Sequence, residues 1–313
     1  MNSDKMNSTG LASQAGLPHI CVCICTFKRP LYLRRLLNEV AKQSTGGLFT
    51  YSAVVADNDA AASARSVIEE FTATSALPIE YCVEPRPGIS HARNAVLAKA
   101  EGEYLAFIDD DEFPAEGWLG TLFLQCNQYG ADGVLGPVTR FFDDTPPRWL
   151  LKCQICDLRV NPTGMRVDWK ESRTSNVLIR RKVVLGDTLP FRPKFKVCGD
   201  EDFFQRKIAA GFSFIWSAEA VVFEVVPPSR WTRSYHLKRS LVQGAMSPML
   251  AGFGVRDVLK SAVAIPVYLL VLPFTLLGGQ HRLMDTLIRF CFHLGKLIAL
   301  FRIEVLREPY LTG

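Results

Sequence analysis

The sequence predicts an α/β protein built on a mostly parallel, doubly wound sheet, with a C-terminal helical segment that associates with a membrane. Three observations carry this. Short apolar runs over 19–25, 52–56, 79–83 and 104–108 alternate with stretches of helical periodicity, the pattern of strands joined by crossover helices. Three of those runs end in polar groups, at Thr26, Asp57 and Asp109, where open α/β sheets bind ligands. Residues 261–280 then carry no charge and are followed by an amphipathic stretch over 283–301, as in membrane-seated segments.

Composition bounds the class. The 313 residues, 48% hydrophobic and 21% charged, describe a core-forming chain with room for one large domain and an appendage. The nine cysteines set no disulfide framework. Cys21, Cys23 and Cys25 alternate along one strand and so share a face. Cys153 and Cys156 have no second pair at zinc spacing. Reduced structural thiols are expected. Residues 1–18 are polar without an apolar run, which predicts a disordered lead and no signal peptide.

The first strand, 19–25, ends in Thr26-Phe27-Lys28-Arg29-Pro30. A helix follows, since Leu33, Leu36, Leu37 and Val40 recur at i, i+3, i+4 and i+7. The second strand, 52–56, runs into Asp57-Asn58-Asp59, and a helix is expected over 62–71. The third strand is 79–83, followed by the turn Pro85-Arg86-Pro87-Gly88 and a helix over 90–100. The fourth run begins at Tyr104 and closes on Asp109, Asp110, Asp111 and Glu112. Four carboxylates at the end of a buried strand repel one another unless a positive group sits among them. Hard cations such as Mg²⁺ or Mn²⁺ bridge a few carboxylates to phosphates. An acidic solvated turn is the plain alternative. An EF-hand is excluded, because the loop lacks its third oxygen ligand and its glycine. No Gly-rich phosphate loop is present, so P-loop and dinucleotide-binding chemistry are excluded.

Beyond the acidic run, a helix is expected over 115–128, a strand over 132–138 and another over 175–179. The stretch between, 141–168, has no clear period. Trp149 and Trp169 have faces suited to sugar rings, or serve as core and loop anchors. A helix opens near 197 and stops at Gly211, with Asp200, Glu201 and Asp202 in its first turn. Acidic groups there suit the helix dipole, or supply a general base. The segment 226–239 is basic and aromatic. Arg230, Arg233, Lys238 and Arg239 would grip a diphosphate or form a solvated face. Nucleic acid is disfavoured, because no binding motif accompanies them.

Six motifs in order resemble the family 2 glycosyltransferases of the GT-A fold, which use nucleotide-diphosphate sugars. They are Cys25-Thr-Phe-Lys-Arg-Pro30, Val54-Val-Ala-Asp-Asn-Asp59, Gly88-Ile-Ser-His-Ala-Arg-Asn94, Gly102-Glu-Tyr-Leu-Ala-Phe-Ile-Asp-Asp-Asp-Glu112, Ser175-Asn-Val-Leu-Ile-Arg-Arg181 and Gly199-Asp-Glu-Asp-Phe-Phe-Gln-Arg206. Leu135-Gly-Pro-Val138 and Pro147-Arg-Trp149 narrow the resemblance to glucosyltransferases of succinoglycan-type exopolysaccharide assembly. The resemblance covers about 19–240 and implies a nucleotide-sugar half over 19–112 and an acceptor half over 113–240, while the uncharged and amphipathic stretches make 241–313 a membrane-associating helical region. It implies a UDP-sugar donor, Mn²⁺ or Mg²⁺, and a lipid-linked oligosaccharide acceptor. A cytoplasmic donor without a signal peptide sets the expected place at the cytoplasmic face of the plasma membrane. Thr26, Arg29 and Asp110 would meet the nucleotide, Asp57 the uracil, and Arg93 the nucleotide or diphosphate, although a surface helix arginine has the same spacing. Asp109 would lie near the ribose and, with Asp111, mark the metal site. The family's Glu-Asp pair is altered here, with Gly199 preceding Asp200, so the base is Asp200 on one alignment and Asp202 on the other. A nucleotidyltransferase would need a Gly-rich phosphate loop that 25–30 lacks. A processive synthase would carry a Gln-x-x-Arg-Trp motif, of which only Arg230-Trp231 stands here. A non-catalytic scaffold retaining the pocket is the alternative from another class.

At the C-terminal end, Pro266, Pro273 and Gly278-Gly279 interrupt the uncharged stretch, so it either spans or is kinked and re-entrant. In 283–301, Asp285, Arg289, His293 and Lys296 share one helical face opposite an apolar one. Such a helix lies in the interface, apolar side down, or packs into the domain.

Overall fold

The computed structural model describes residues 16–153, 161–195, 198–250 and 252–301. The expected disordered lead falls mostly on 1–15, and Cys156 and the last residues of the C-terminal region also lie outside the described residues. The eight cysteines it describes are all free thiols.

The first half alternates as the periodicity demands: β1 (His19–Thr26), α1 (Pro30–Ala41), β2 (Thr50–Asp57), α2 (Arg65–Thr74), β3 (Ile79–Val83), α3 (Ile89–Lys99) and β4 (Tyr104–Asp109). Then come β5 (Glu112–Pro114), α4 (Trp118–Gln128), β6 (Gly133–Leu135), β7 (Val138–Phe141) and the short α5 (Arg148–Leu151). The rest is β8 (Val177–Arg180), α6 (Gly199–Ala209), β9 (Phe214–Trp216), β10 (Val222–Val225), α7 (Arg233–Met246), α8 (Val255–Leu277) and α9 (Gln280–Leu300).

Seven strands form one sheet in the order β3-β2-β1-β4-β8-β6-β9, and β5-β10-β7 form a small second sheet. In the large sheet only β8 runs against its neighbours β4 and β6; the other pairings are parallel. Strand alternation sorts β1 between two cores. Ile20, Val22 and Ile24 pack with Leu33, Leu36, Leu37 and Val40 of α1. Cys21 and Cys23, with Cys25 against them, pack with Ala92 and Val96 of α3 and Phe203 and Phe204 of α6. Both faces are therefore covered, and the three cysteines occupy one face as their spacing predicts.

The structure corrects several boundaries. The second helix begins at Arg65, not 62, because the Asp57 carboxylate accepts from the amides of Asp59 and Ala64 and holds 59–64 in a turn. That turn needs Ala62 at φ +54°. The fourth helix begins at Trp118, not 115. The Ala115 amide still bonds Val221 O beyond β5, and Gly117 turns the chain at φ +74°. The single strand expected over 132–138 is two strands in different sheets. The chain changes sheets at Gly136, where a Cβ would lie 2.1 Å from Ala220 O. Finally, α8 runs unbroken through Pro266 and Pro273.

At the C-terminal end, α9 is held between α7 and α8 and does not lie free with its apolar side down. Gly244 and Gly295 let α7 and α9 approach so closely that a Cβ on Gly295 would sit 2.1 Å from Leu241 O. The Ser240 hydroxyl bonds Ile288 O at 2.6 Å across the same seam. Among the described residues, α8 alone is long and apolar enough to cross a membrane.

Candidate active site

The cleft forms where chain direction changes. From β1 the chain steps outward to β2 and β3 on one side, while β4 lies on the other. The crevice beyond the carboxyl ends of β1 and β4 is thus a topological switch point, the usual ligand position in such sheets. Strand register places Cys25 beside Asp109 there. The cleft has a volume of about 590 Å³, within the range of small-molecule sites. Its walls carry Thr26, Lys28, Arg29 and Tyr32 from β1 and the turn into α1, Arg93 from α3, and Asp109, Asp110 and Asp111 after β4. Glu224, Ser229 and Arg230 line it from β10 onward, and Tyr235, Arg239 and Gln243 from α7.

The acidic run is met by arginines from three parts of the chain. The Thr26 hydroxyl donates to Asp110 Oδ2 at 2.8 Å. Arg29 Nη1 donates to both Asp110 Oδ1 and Asp111 Oδ2 at 3.0 Å. Arg230 Nη2 lies 2.9 Å from Asp111 Oδ2 while its Nη1 donates to Glu224. Pairing of β10 with β5, which sets Glu224 opposite Glu112, delivers this arginine. The Val225 amide also bonds Asp111 O at 2.8 Å. Arg93, 7% exposed, joins the two halves of the site. Its Nη1 donates to Asp200 Oδ1 and its Nη2 lies 3.9 Å from Asp109 Oδ1. The Phe191 ring supports the guanidinium at 5.4 Å. The other Asp200 oxygen accepts from the Thr174 amide at 3.1 Å.

Asp109 keeps a face toward solvent, yet burial in the cleft floor raises its pKa from 3.8 to about 7, with Asp111 adding repulsion and Arg93 opposing. Burial raises Asp110 to about 6, against the pull of Arg29. Both folded pKa values exceed the unfolded ones, so between them the folded chain holds protons that the unfolded chain releases. Stability should therefore fall as pH rises from about 4 to about 7 without donor or cation. Thermal melts across that window should show the fall, and Asp109→Asn should reduce it to the share that Asp110 contributes below about 6.

Not every expected site residue reaches the cleft. Thr26, Arg29, Arg93, Asp109, Asp110 and Asp111 line it together. Asp57 does not: it is 0% exposed, and its Oδ2 accepts from the Tyr81 hydroxyl as well as from Ala64 N. Its neighbour Asn58 faces the cleft instead, bonded to Glu84 O, Arg86 O and the Gly88 amide. Neither candidate base is among the lining residues: Asp200 is joined to the cleft through Arg93, which does line it, and Asp202 is 2% exposed and paired with Arg192 and Arg206. Trp149 packs on His236 and Arg233, and Trp169 against the core, both as anchors. The sequence reading missed Tyr32, Asn58, Ser229, Tyr235 and Gln243. The signal for the last two was there: Tyr235, Arg239 and Gln243 recur every four residues and so share a helix face.

The acidic donor set is all oxygen, which suits Mg²⁺ or Mn²⁺. Among the described residues no three His, Cys, Asp or Glu groups could hold a metal ion together. A cation here would thus rest on one or two carboxylates and on substrate phosphates, the common Mg²⁺ arrangement.

The glycosyl transferase family 2 profile matches residues 21–186. Succinoglycan biosynthesis protein ExoM of Rhizobium meliloti is 33% identical over 228 residues, covering 72% of this chain and 73% of that protein. Glycosyltransferase AglE of Haloferax volcanii is 26% identical over 213 residues, covering 66% of each. Among solved structures, mannosyltransferase PcManGT from Pyrobaculum calidifontis, in complex with GDP-Man and Mn²⁺, superposes with TM-score 0.62. That match covers 92% of this chain and 88% of the other at 16% identity. Residues 1–349 of S. aureus TarS, with UDP-GlcNAc, give TM-score 0.53 at 17% identity, covering 67% and 59%. At such identities the two structures speak for the fold, which is that of the GT-A glycosyltransferases.

Proposed function

We propose, proceeding from the fact that this chain belongs to glycosyl transferase family 2, that it is an inverting, metal-dependent hexosyltransferase moving glucose from UDP-glucose to a lipid-linked oligosaccharide. The observation that carries the reading is the arginine bridge. Arg93 ties Asp109, at the end of the nucleotide-side strand, to Asp200, at the start of the acceptor-side helix. A leaving-group site and a base are thus joined through one buried guanidinium. ExoM, by its name a succinoglycan biosynthesis protein, supports the exopolysaccharide setting, and glucose rests on the resemblance carried by Leu135-Gly-Pro-Val138 and Pro147-Arg-Trp149. The GDP-Man, Mn²⁺ and UDP-GlcNAc complexes of the structural neighbours support a nucleotide-sugar donor and a cation.

In this reading Thr26 and Arg29 bind the nucleotide side, with Asp57 bracing the turn beneath it. Asp109 and Asp111 would hold the cation, which when bound supplies positive charge against the diphosphate leaving group. Arg29 and Arg230, already at Asp111, add charge to the same point. Asp200 is held by Arg93 on one oxygen and by the Thr174 amide on the other. It takes the proton of the acceptor hydroxyl as that oxygen bonds the anomeric carbon and the bond to UDP breaks. Gln243, Tyr235 and Arg239 form the acceptor wall. The catalytic portion is 19–240, working at the cytoplasmic face of the plasma membrane, and 241–313, whose first residues complete α7 and bring Gln243 to the cleft, is its membrane-associating region.

Transfer of labelled sugar from a panel of UDP-sugars into membrane lipid tests this. One donor should label lipid in the presence of Mn²⁺ or Mg²⁺. A chelator should reduce the rate about 100-fold or more, since cation contact with a leaving group is worth several kcal/mol. Labelling from no donor, or labelling indifferent to chelation, would sink the proposal.

A further inference from the structure

We infer from the C-terminal packing that α8 does not span the membrane: it lies flat in one leaflet and seats the cleft on an anionic lipid surface. The inference deepens the membrane part of the reading above and rests on it only for the lipid-linked acceptor.

The amphipathic pattern of α8 is inside out. Toward α9 it presents Ser261, fully buried and bonded to His293 Nδ1 at 3.0 Å, and Tyr268, whose ring meets His293 at 5.8 Å. Outward it presents Leu259, Val263, Val267, Leu270, Phe274 and Leu277, between 48% and 86% exposed. Only 6% of its most apolar stretch is buried, at a mean hydropathy of 1.8. A contiguous apolar face of that size marks an interaction surface. Its edge is basic: Arg256, Lys260 and, after the turn, Arg282 are exposed. Long cationic side chains beside an apolar helix face suit anionic headgroups.

The packing partners decide between spanning and lying flat. Through the turn at Gly278 and Gly279, α8 and α9 run antiparallel, with Ser261 against His293 and Phe253 against Lys296. On its other side α9 runs alongside α7 in the same direction. Arg233 bonds Gln280, Ser240 bonds Ile288 O, and Gly244 abuts Phe292 O. Were α8 to stand across a bilayer, α9 would cross with it, carrying Arg282, Asp285, Arg289 and Lys296. Each such charge near a bilayer centre costs about 2.5–3.5 kcal/mol even on the mildest scale. The wall of the cleft formed by Tyr235, Arg239 and Gln243 would follow, because it belongs to α7. Lying flat, α8 buries its apolar face together with the flanks, where Leu269, Val271 and Leu276 are also exposed, and leaves the charged residues of α9 and α7 in water. The cleft is then set near the headgroups, where the sugar end of a lipid-linked acceptor emerges.

Depth measurements on the full chain separate the two arrangements. Val263→Trp, Leu270→Trp and Leu277→Trp would be bound to phosphatidylglycerol–phosphatidylcholine vesicles carrying lipids brominated near or far from the headgroup, with wild-type emission subtracted. Equal, shallow depths of about 5–10 Å at all three positions are expected for a flat helix. A graded series running through the bilayer centre overturns the inference, and so does failure of the wild-type chain to bind these vesicles. The double substitution Leu270→Ser with Phe274→Ser should weaken vesicle binding about 100-fold, as two exposed apolar side chains lose their burial. Unchanged binding by that variant would also overturn the inference. UDP affinity, measured on the same proteins in solution, reads the donor site alone. Its loss would count against the transferase reading and leave the depth result standing.

Discussion

Asp200→Asn is expected to lower the transfer rate about 1,000-fold, the middle of the range for losing a positioned general base, while UDP affinity changes little. The amide keeps the shape of the side chain and an oxygen for the Thr174 amide, which now holds Asp200 Oδ2 at 3.1 Å. What it loses is basicity and the charge that pairs with Arg93. The diphosphate end of the cleft is held mainly by other contacts, Arg29 on Asp110 and Asp111 and Arg230 on Asp111, and Arg93 keeps its positive charge beside Asp109, so donor affinity changes little. Asp202→Asn should behave oppositely. Asp202 is 2% exposed and neutralises Arg192 and Arg206, whose side chains are 39% and 28% exposed, so its loss forfeits charged hydrogen bonds at a cost of about 1–3 kcal/mol. Its variant should melt earlier, and the folded fraction should retain catalysis. Single-turnover transfer rates beside melting curves separate the two. If Asp202→Asn kept its melting point and lost the chemistry, the base would have to be moved to Asp202.

The contrast between those two aspartates shows what a chain can and cannot disclose. Leu33, Leu36, Leu37 and Val40 were legible because helical period is local, and all four are buried on α1. The strand ending at Asp109 was legible for the same reason, its alternation sorting side chains into two cores without reference to anything distant. The charge partners were not. Arg93 meets Asp200 across 107 residues of sequence, and Arg230 reaches Asp111 only because β10 pairs with β5. Ion pairs of this kind have no local period, so a basic stretch over 226–239 read equally as a solvated face. Asp57 stands where the family resemblance sets a uracil contact, while its carboxylate is spent on the amides of Asp59 and Ala64 and the Tyr81 hydroxyl. The turn residues after a strand serve the fold and the ligand with the same atoms, and only coordinates apportion them. The helix boundaries slipped where Ala62 and Gly117 adopt positive φ, a conformation that apolar spacing cannot report.

Asn176 stands in the sequence as one member of a strand motif, and its replacement by Ala should be among the most damaging single changes outside the cleft. It is 0% exposed. Its Oδ1 accepts from Trp118 Nε1 at 2.7 Å, and its Nδ2 donates to Pro137 O at 2.8 Å and Ala220 O at 2.7 Å. Those partners belong to α4, to the crossing between β6 and β7, and to the turn before β10. One amide therefore ties the large sheet to the small one. Truncation leaves the fully buried indole of Trp118 without its acceptor, and each stranded buried group costs about 1–3 kcal/mol. The backbone adds to this, since Asn176 sits at φ +53°, where Asn is tolerated and Ala is strained. The sum is about 3–5 kcal/mol, a large part of the roughly 5–15 kcal/mol that holds a domain together, and the melting temperature should drop by about 10 °C. Asn176→Gly isolates the side chain, because glycine accepts the positive φ and forfeits only the three bonds. If Gly restored most of the stability lost in Ala, strain would be the main cause. If Gly and Ala melted alike, the bonds would be, and the two sheets would be held by that amide. Gly is expected to recover only the strain share, about 1 kcal/mol, and the bonds remain the main cause, because Trp118 Nε1, Pro137 O and Ala220 O lose the same amide in both variants. The cleft should feel the loss as well. Arg230 follows β10 by five residues and is carried to Asp111 by it, so a loosened β10 should raise the UDP dissociation constant before the protein unfolds.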